Sequence, residues 1–198
     1  HQIKARACGI PILFTRRSTR EGGQPVVLSE EEVLALHEAL CASSSVDFID
    51  YELSSDARHF RRALTAAHAN GVQLIASFHD FRQTPSCEDI VGRFIAAEQA
   101  GADIAKVAVM PRTIDDVLTL LSATRAGYRC CQLPVIGISM GAYGVLSRLF
   151  GWTCGSAMTF AVGDQLSAPG QLPIADLRDV LRIVQQALPD EATDLPSS

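Results

Sequence analysis

Apolar runs separated by amphipathic stretches set the rhythm of this chain. Strand-like runs fall at residues 10–14 (IPILF), 46–51 (VDFIDY), 72–76 (VQLIA), 104–110 (IAKVAVM), 134–138 (PVIGI) and 156–162 (SAMTFAV). Most are too uniformly apolar to leave one face in water. They predict strands covered on both faces, as in a parallel sheet wrapped by helices. The stretches between them carry helix signals. Ser29-Glu30-Glu31-Glu32 and Thr113-Ile114-Asp115-Asp116 read as capping boxes, and Thr84-Pro85 puts proline at a first helical position. A last helix aligns Ile174, Leu177, Leu181, Val184 and Leu188 on one face.

The strand-like runs recur about every 25 to 35 residues, the length of one βα unit, which leaves a doubly wound sheet or a (β/α)8 TIM barrel. No GxGxxG follows any strand, and this weakens the dinucleotide-binding alternative. The reading is therefore an α/β TIM barrel with about six βα units present. The 198 residues suffice for a single domain, with residues 190–198 expected as a flexible tail.

Composition narrows the function classes. At 47% apolar and 20% charged residues, the chain is ordinary for a globular protein. A net charge of −5 argues against a nucleic-acid surface, so an anionic ligand would have to be met by a few local arginines. No apolar stretch approaches the length of a membrane span and no signal-peptide pattern is visible, so a cytoplasmic location is expected. The six cysteines form no CxxC pair and read as reduced thiols. The scattered histidines lack ligand spacing, so no metal site is assigned.

Lysine is the rarest basic residue here: Lys4 and Lys106 stand alone among 17 Lys and Arg. Lys106 lies inside an apolar strand, where burial of an ammonium is costly and desolvation can free the amine as a Schiff-base nucleophile. The bland alternative is a strand-end lysine reaching water or pairing with Asp103. In a barrel the chemistry collects at the carboxyl ends of the strands. Those ends carry Arg17 and Glu21 with Gly22-Gly23, then Glu52, His79, Lys106, Met140 leading to Arg148, and Ser167 to Gln171. Each has a structural reading: His79 as a core histidine, Arg17 as one cation of a basic loop, Arg148 as an answer to a helix dipole, 167–171 as a plain turn. Together they would be a coincidence repeated over five strand ends. An amine, an imidazole and arginines on one face suit an imine-forming lyase.

At these residues the chain resembles the type I 3-dehydroquinate dehydratases. The matching stretches are FTRRSTREGG (14–23), VDFIDYEL (46–53), SFHDF (77–81), AKVAVMP (105–111), ISMG (138–141), SRL (147–149) and SAPGQ (167–171), in family order. The resemblance implies dehydration of the small-molecule substrate 3-dehydroquinate to 3-dehydroshikimate in the shikimate pathway. Lys106 would form the imine, His79 would act as general acid and base, and Glu21 would orient and charge-balance His79. Arg17, Arg148, Ser167, Gln171 and Met140 would bind substrate. The iminium itself is the electron sink, so no cofactor is implied. A homodimer is also implied. The chain departs from the family in two places. The family's two amino-terminal βα units, the second bearing Glu-x-Arg, have no counterpart before Ile10, which leads us to expect open sheet edges at 10–14 and 156–162. Ile138 stands where the family often has methionine. A class I aldolase-type barrel and a non-catalytic fragment of the dehydratase stay open as alternatives.

Overall fold

The computed structural model describes residue 4, residues 7–163 and residues 168–187. Its centre is a five-stranded parallel sheet in the order β1 (Leu13–Thr15), β2 (Phe48–Glu52), β3 (Gln73–Asp80), β4 (Ile104–Val109) and β5 (Val135–Ser139). Helices follow the strands: α1 (Glu30–Ala42), α2 (Ala57–Ala69), α3 (Cys87–Gln99), α4 (Ile114–Cys130), α5 (Val145–Phe150) and α6 (Ile174–Ala187). Sequential strands therefore pair with their neighbours throughout, which is how a barrel wall is laid down. Among the described residues, no helix is long and apolar enough to cross a membrane, and all six cysteines are free thiols.

Side-chain parity along the strands explains why the sequence runs looked apolar on both sides. One face carries Ile49, Tyr51, Leu74, Ala76, Ala105, Val107, Val109 and Val135, packed with Leu34, Phe60, Ile90, Phe94 and Leu120 of the helices. The opposite, inner face carries a second cluster of Ile75, Ile104, Ala108, Ile136 and Ile138 with Met140. The parallel register sets Glu52, Ser77, Lys106 and Ile136 in one row across that inner face. Polar side chains thus share a face with apolar ones and gather toward the carboxyl ends of the strands.

The capping boxes fall where the sequence puts them. Ser29 pairs with Glu32, and Thr113 pairs with Asp116. The third helix begins later than Thr84-Pro85 suggests: Ser86 accepts the Asp89 amide and is the N-cap, so Pro85 precedes the cap. The 156–162 run pairs only through bridges, Ser156 to Val135 and Val162 to Pro173. The reason is local. The Ser156 hydroxyl accepts the Gly137 amide and donates to Met158 O, substituting a side chain for the next ladder bond. On α6, Leu177 is buried but Ile174 is largely exposed, so the apolar stripe is only partly covered. Leu188 and the expected tail lie outside the described residues.

Two glycines mark close contacts of the helices with their neighbours. A Cβ at Gly127 of α4 would lie 2.5 Å from the Phe94 ring of α3, and one at Gly137 of β5 would lie 1.9 Å from Thr124 Oγ1. The Thr124 hydroxyl is already committed to Leu120 O at 2.8 Å and the residue is fully buried, so it has nowhere to retreat. Gly137→Ala is expected to lower stability by about 2 kcal/mol through overpacking. A urea midpoint that does not move would contradict this account of β5 and α4.

Candidate active site

The site is assembled by a folded loop after β1 and by the carboxyl ends of β2 to β5. In the loop, Ser18 caps a short 3-10 turn, Thr19–Glu21, and its amide donates to Glu52 Oε1 at 2.6 Å. Gly22 then takes φ 83°, and Gly23 packs so closely that a Cβ would lie 1.9 Å from Arg17 O. The double glycine is therefore more than a surface turn. It folds the loop back so that Arg17 and Glu21 both face the strand ends.

Glu21 is buried and meets His79 twice. The His79 backbone amide donates to Glu21 Oε2 at 3.0 Å, and the Nδ1 of its ring lies 2.9 Å from the same oxygen. The Ser54 hydroxyl donates to Oε1 at 2.6 Å. Burial pushes the Glu21 carboxyl up to about 7, against the pull of Ser54 and Arg17. His79 sits on β3 itself rather than beyond its end, and burial, with Lys106 and Arg17 nearby, drives its pKa well below the ordinary histidine value. A neutral imidazole whose Nδ1–H faces the Glu21 carboxyl oxygen keeps Nε2 as its basic nitrogen.

Lys106 is buried in the middle of β4, and its ammonium does not pair with Asp103, whose carboxylate takes His68 and the Leu74 amide instead. Lys106 Nζ donates to Asp50 Oδ2 at 2.9 Å and lies 4.8 Å from the centre of the Phe160 ring. Asp50 is fully buried. Its other oxygen accepts Arg17 Nη2 at 2.7 Å and the Ser77 hydroxyl at 2.6 Å. Burial opposes the Asp50 charge, but Lys106 and Arg17 outweigh it and hold the carboxyl well below the usual carboxylate range. Arg17 Nη1 also reaches Ser77 Oγ at 2.7 Å, Glu52 at 3.4 Å and Glu21 at 3.6 Å.

Arg17, Glu21, His79 and Lys106 line a cavity of about 400 Å³ together with Met140, Arg148, Phe160 and Gln171, while Asp50 and Ser77 lie behind Lys106 and Arg17. Arg148 is buried on α5. Its guanidinium donates to Phe160 O at 3.0 Å and Pro169 O at 3.2 Å, while Nε is without a hydrogen-bond partner. Burial lowers its pKa. Gln171 folds its amide back to accept the Ala168 N–H. Arg17, Glu21, His79, Lys106, Met140, Arg148 and Gln171 thus converge, whereas Ser167 lies outside the described residues. Asp50, Ser77, Ser54 and Phe160 were not singled out by the sequence. The signal available was the period-two pairing of Asp50 with Glu52 and of Ser77 with His79, which puts each pair on one strand face. Among the described residues no His, Cys, Asp and Glu cluster is placed to hold a metal ion.

A parallel α/β wall with a buried amine, an imidazole–carboxylate pair and arginines at its strand ends defines a barrel-type protein with a lysine-centred pocket. The type I 3-dehydroquinase family model matches residues 1–187. A 3-dehydroquinate dehydratase of Aromatoleum aromaticum is 57% identical over 190 residues, covering 96% of this chain and 73% of that protein. The crystal structure of 3-dehydroquinate dehydratase from Geobacillus kaustophilus superposes with a TM-score of 0.91 at 49% identity, covering 93% of this chain and 71% of that one. A Clostridium difficile type I enzyme, solved with covalently modified comenic acid, gives 0.90 at 37% identity over 94% of this chain and 74% of its own. The chain belongs to the type I 3-dehydroquinase family. A putative deoxyribose-phosphate aldolase from Toxoplasma gondii, at 11% identity and a TM-score of 0.60, shares the fold alone.

The raised Glu21 pKa has a sign that can be checked. The unfolded carboxyl ionises near 4.5 and the folded one near 7, so this group's contribution to stability is full below 4.5 and is lost as pH rises to about 7. Glu21→Gln should therefore gain stability relative to the parent protein across that interval and hold a level advantage above it. Urea denaturation at pH 4, 6 and 8 measures the difference. A difference independent of pH would contradict the burial account.

Proposed function

We propose that this chain is a lyase that dehydrates 3-dehydroquinate to 3-dehydroshikimate through an imine on Lys106, as a step of the shikimate pathway. The observation that carries this reading is the convergence, inside a family match spanning residues 1–187, of a buried lysine with a His79–Glu21 pair in one cavity. In this reading a ketone carbon is attacked by Lys106 Nζ, and the resulting iminium acidifies the adjacent C–H. His79 removes that proton, then protonates the departing hydroxyl so that it leaves as water, and finally assists hydrolysis of the product imine. Glu21 supports each step by fixing the tautomer and orientation of the ring through Nδ1. Arg148 clamps the substrate carboxylate, Arg17 binds a substrate hydroxyl, and Met140 packs against the ring. Gln171 completes the wall on the loop that Gly141 and Arg148 hold through Pro169 O, and the family resemblance adds Ser167 as a substrate ligand. The family resemblance adds a homodimer working in the cytoplasm.

Borohydride added during turnover of 3-dehydroquinate should leave a reduced adduct on Lys106 by peptide mass mapping, and Lys106→Ala should lose at least about 10³-fold in kcat. An adduct on another residue, or turnover unchanged in Lys106→Ala, would refute the mechanism. A panel including sugar phosphates separates this activity from an aldolase.

A further inference from the structure

We infer that Asp50 is the counter-ion of the reacting nitrogen, a catalytic residue that remains ionised while Lys106 passes from ammonium to iminium. The inference rests on the imine reading and assigns a role to a side chain that reading leaves without one. Its basis is geometric. Asp50 touches Lys106 Nζ at 2.9 Å, and its remaining contacts, Arg17 Nη2 and the Ser77 hydroxyl, are all donors. It has no exposure, so water cannot replace any of them.

The stoichiometry of imine formation gives these contacts their meaning. An ammonium and a ketone become an iminium and water. The nitrogen forms a bond to the ketone carbon, two of its three protons leave with the ketone oxygen as water, and the charge is +1 before and after. A fixed anion beside the nitrogen compensates the charge at both ends of the step, but without it the resting lysine can shed its proton whereas the iminium must stay charged to act as the electron sink, so the iminium is the end that depends on the anion. The nitrogen must hand a proton to another base in order to attack. Asp50, saturated by two cations and a hydroxyl, is held as a carboxylate, whereas the neutral His79 on the next strand can take that proton. Charge accounting around the nitrogen agrees. Arg17 and Lys106 are balanced by Asp50 and by Glu52, which lies 3.4 Å from Arg17 Nη1, while Glu21 is 3.6 Å from the same nitrogen and engaged with His79. The Phe160 ring, 4.8 Å from Nζ, adds a second preference for a cation at that point. Replacing Asp50 by a neutral amide leaves Arg17 and the iminium as neighbouring cations with one anion fewer between them.

Asp50→Asn is the direct test. We expect kcat to fall about a hundredfold or more, as when one partner of a buried charge pair is removed. The borohydride-trapped adduct at saturating 3-dehydroquinate should fall below about a tenth of the parent level, while affinity for quinate, which has an alcohol in place of the ketone, stays within about threefold. A merely structural role would weaken quinate binding and trapping together and would overturn the assignment. So would an Asp50→Asn protein that traps the adduct fully. Because an uncompensated buried cation could prevent the variant from folding, infrared difference spectra of the parent protein with 13C-labelled aspartate decide independently. Formation of the imine should produce no protonated aspartate band, and the appearance of one would show that Asp50 takes the proton and is not a counter-ion. Absence of any adduct on the parent protein would refute the imine reading and the counter-ion with it, whereas full trapping by Asp50→Asn refutes the counter-ion alone.

Discussion

A carboxylate with no access to water, held between two cations and a hydroxyl, is the constraint around which the rest of this molecule is arranged. Taking Asp50, Arg17 and Lys106 out of water is expensive, and the attraction between them offsets that cost only when each contact is short and each lone pair is used. The observed contacts of 2.6 to 2.9 Å meet that condition. Three separate elements have to be in register for it: β2 supplies the anion, β4 the ammonium, and the loop after β1 the guanidinium. Ser77 on β3 lies in the same row as Lys106 and bonds both Asp50 and Arg17, which fixes the lateral spacing between strands.

The sheet makes room for this group by dividing its labour by side-chain parity. Odd-numbered positions of β2, such as Ile49 and Tyr51, face the helices and supply burial, while Asp50 and Glu52 face inward. On β4, Ala105, Val107 and Val109 belong to the outer core, and Lys106 belongs to the inner row. Helix packing thus occupies one side of each strand and the charged row the other, so that inward substitutions alter the pocket without removing the helix packing. Below the charged row, Leu13, Phe48, Ile75 and Ile104 close the inner face with apolar side chains. That apolar floor keeps the effective dielectric low around the ion pairs, which strengthens them and makes their separation costly.

Much of the scaffold was legible in the sequence because its signals are local. Ser29 with Glu32 and Thr113 with Asp116 announce helix starts within four residues, and the apolar runs announce strands buried on both faces. Thr84-Pro85 misled by two positions because Ser86, equally able to accept an amide, follows the proline. The 156–162 run reads as a strand by composition, but the Ser156 hydroxyl competes for the Gly137 amide, and no composition rule anticipates that. For the site, Lys106 stood out by rarity and His79 by its position after an apolar run. Asp50 did not, because a single acid inside the run FIDYE carries no local sign of what it faces. Only pairing across three strands reveals that it faces a lysine 56 residues away.

If Arg148 is the proposed carboxylate clamp, its bonding bears on how ligand affinity is set. Its guanidinium already holds two backbone carbonyls, of Phe160 and Pro169, so an anion arriving at Nη1 or Nη2 competes with the protein's own chain for the same donors. Affinity at this arginine is then a difference between two sets of hydrogen bonds. The carbonyls belong to Phe160 and Pro169, so backbone changes beside either that alter how firmly those oxygens sit can tighten or loosen ligand binding while every side chain touching the ligand stays the same. Selection can in this way adjust occupancy of the pocket from outside it, leaving the charged row untouched.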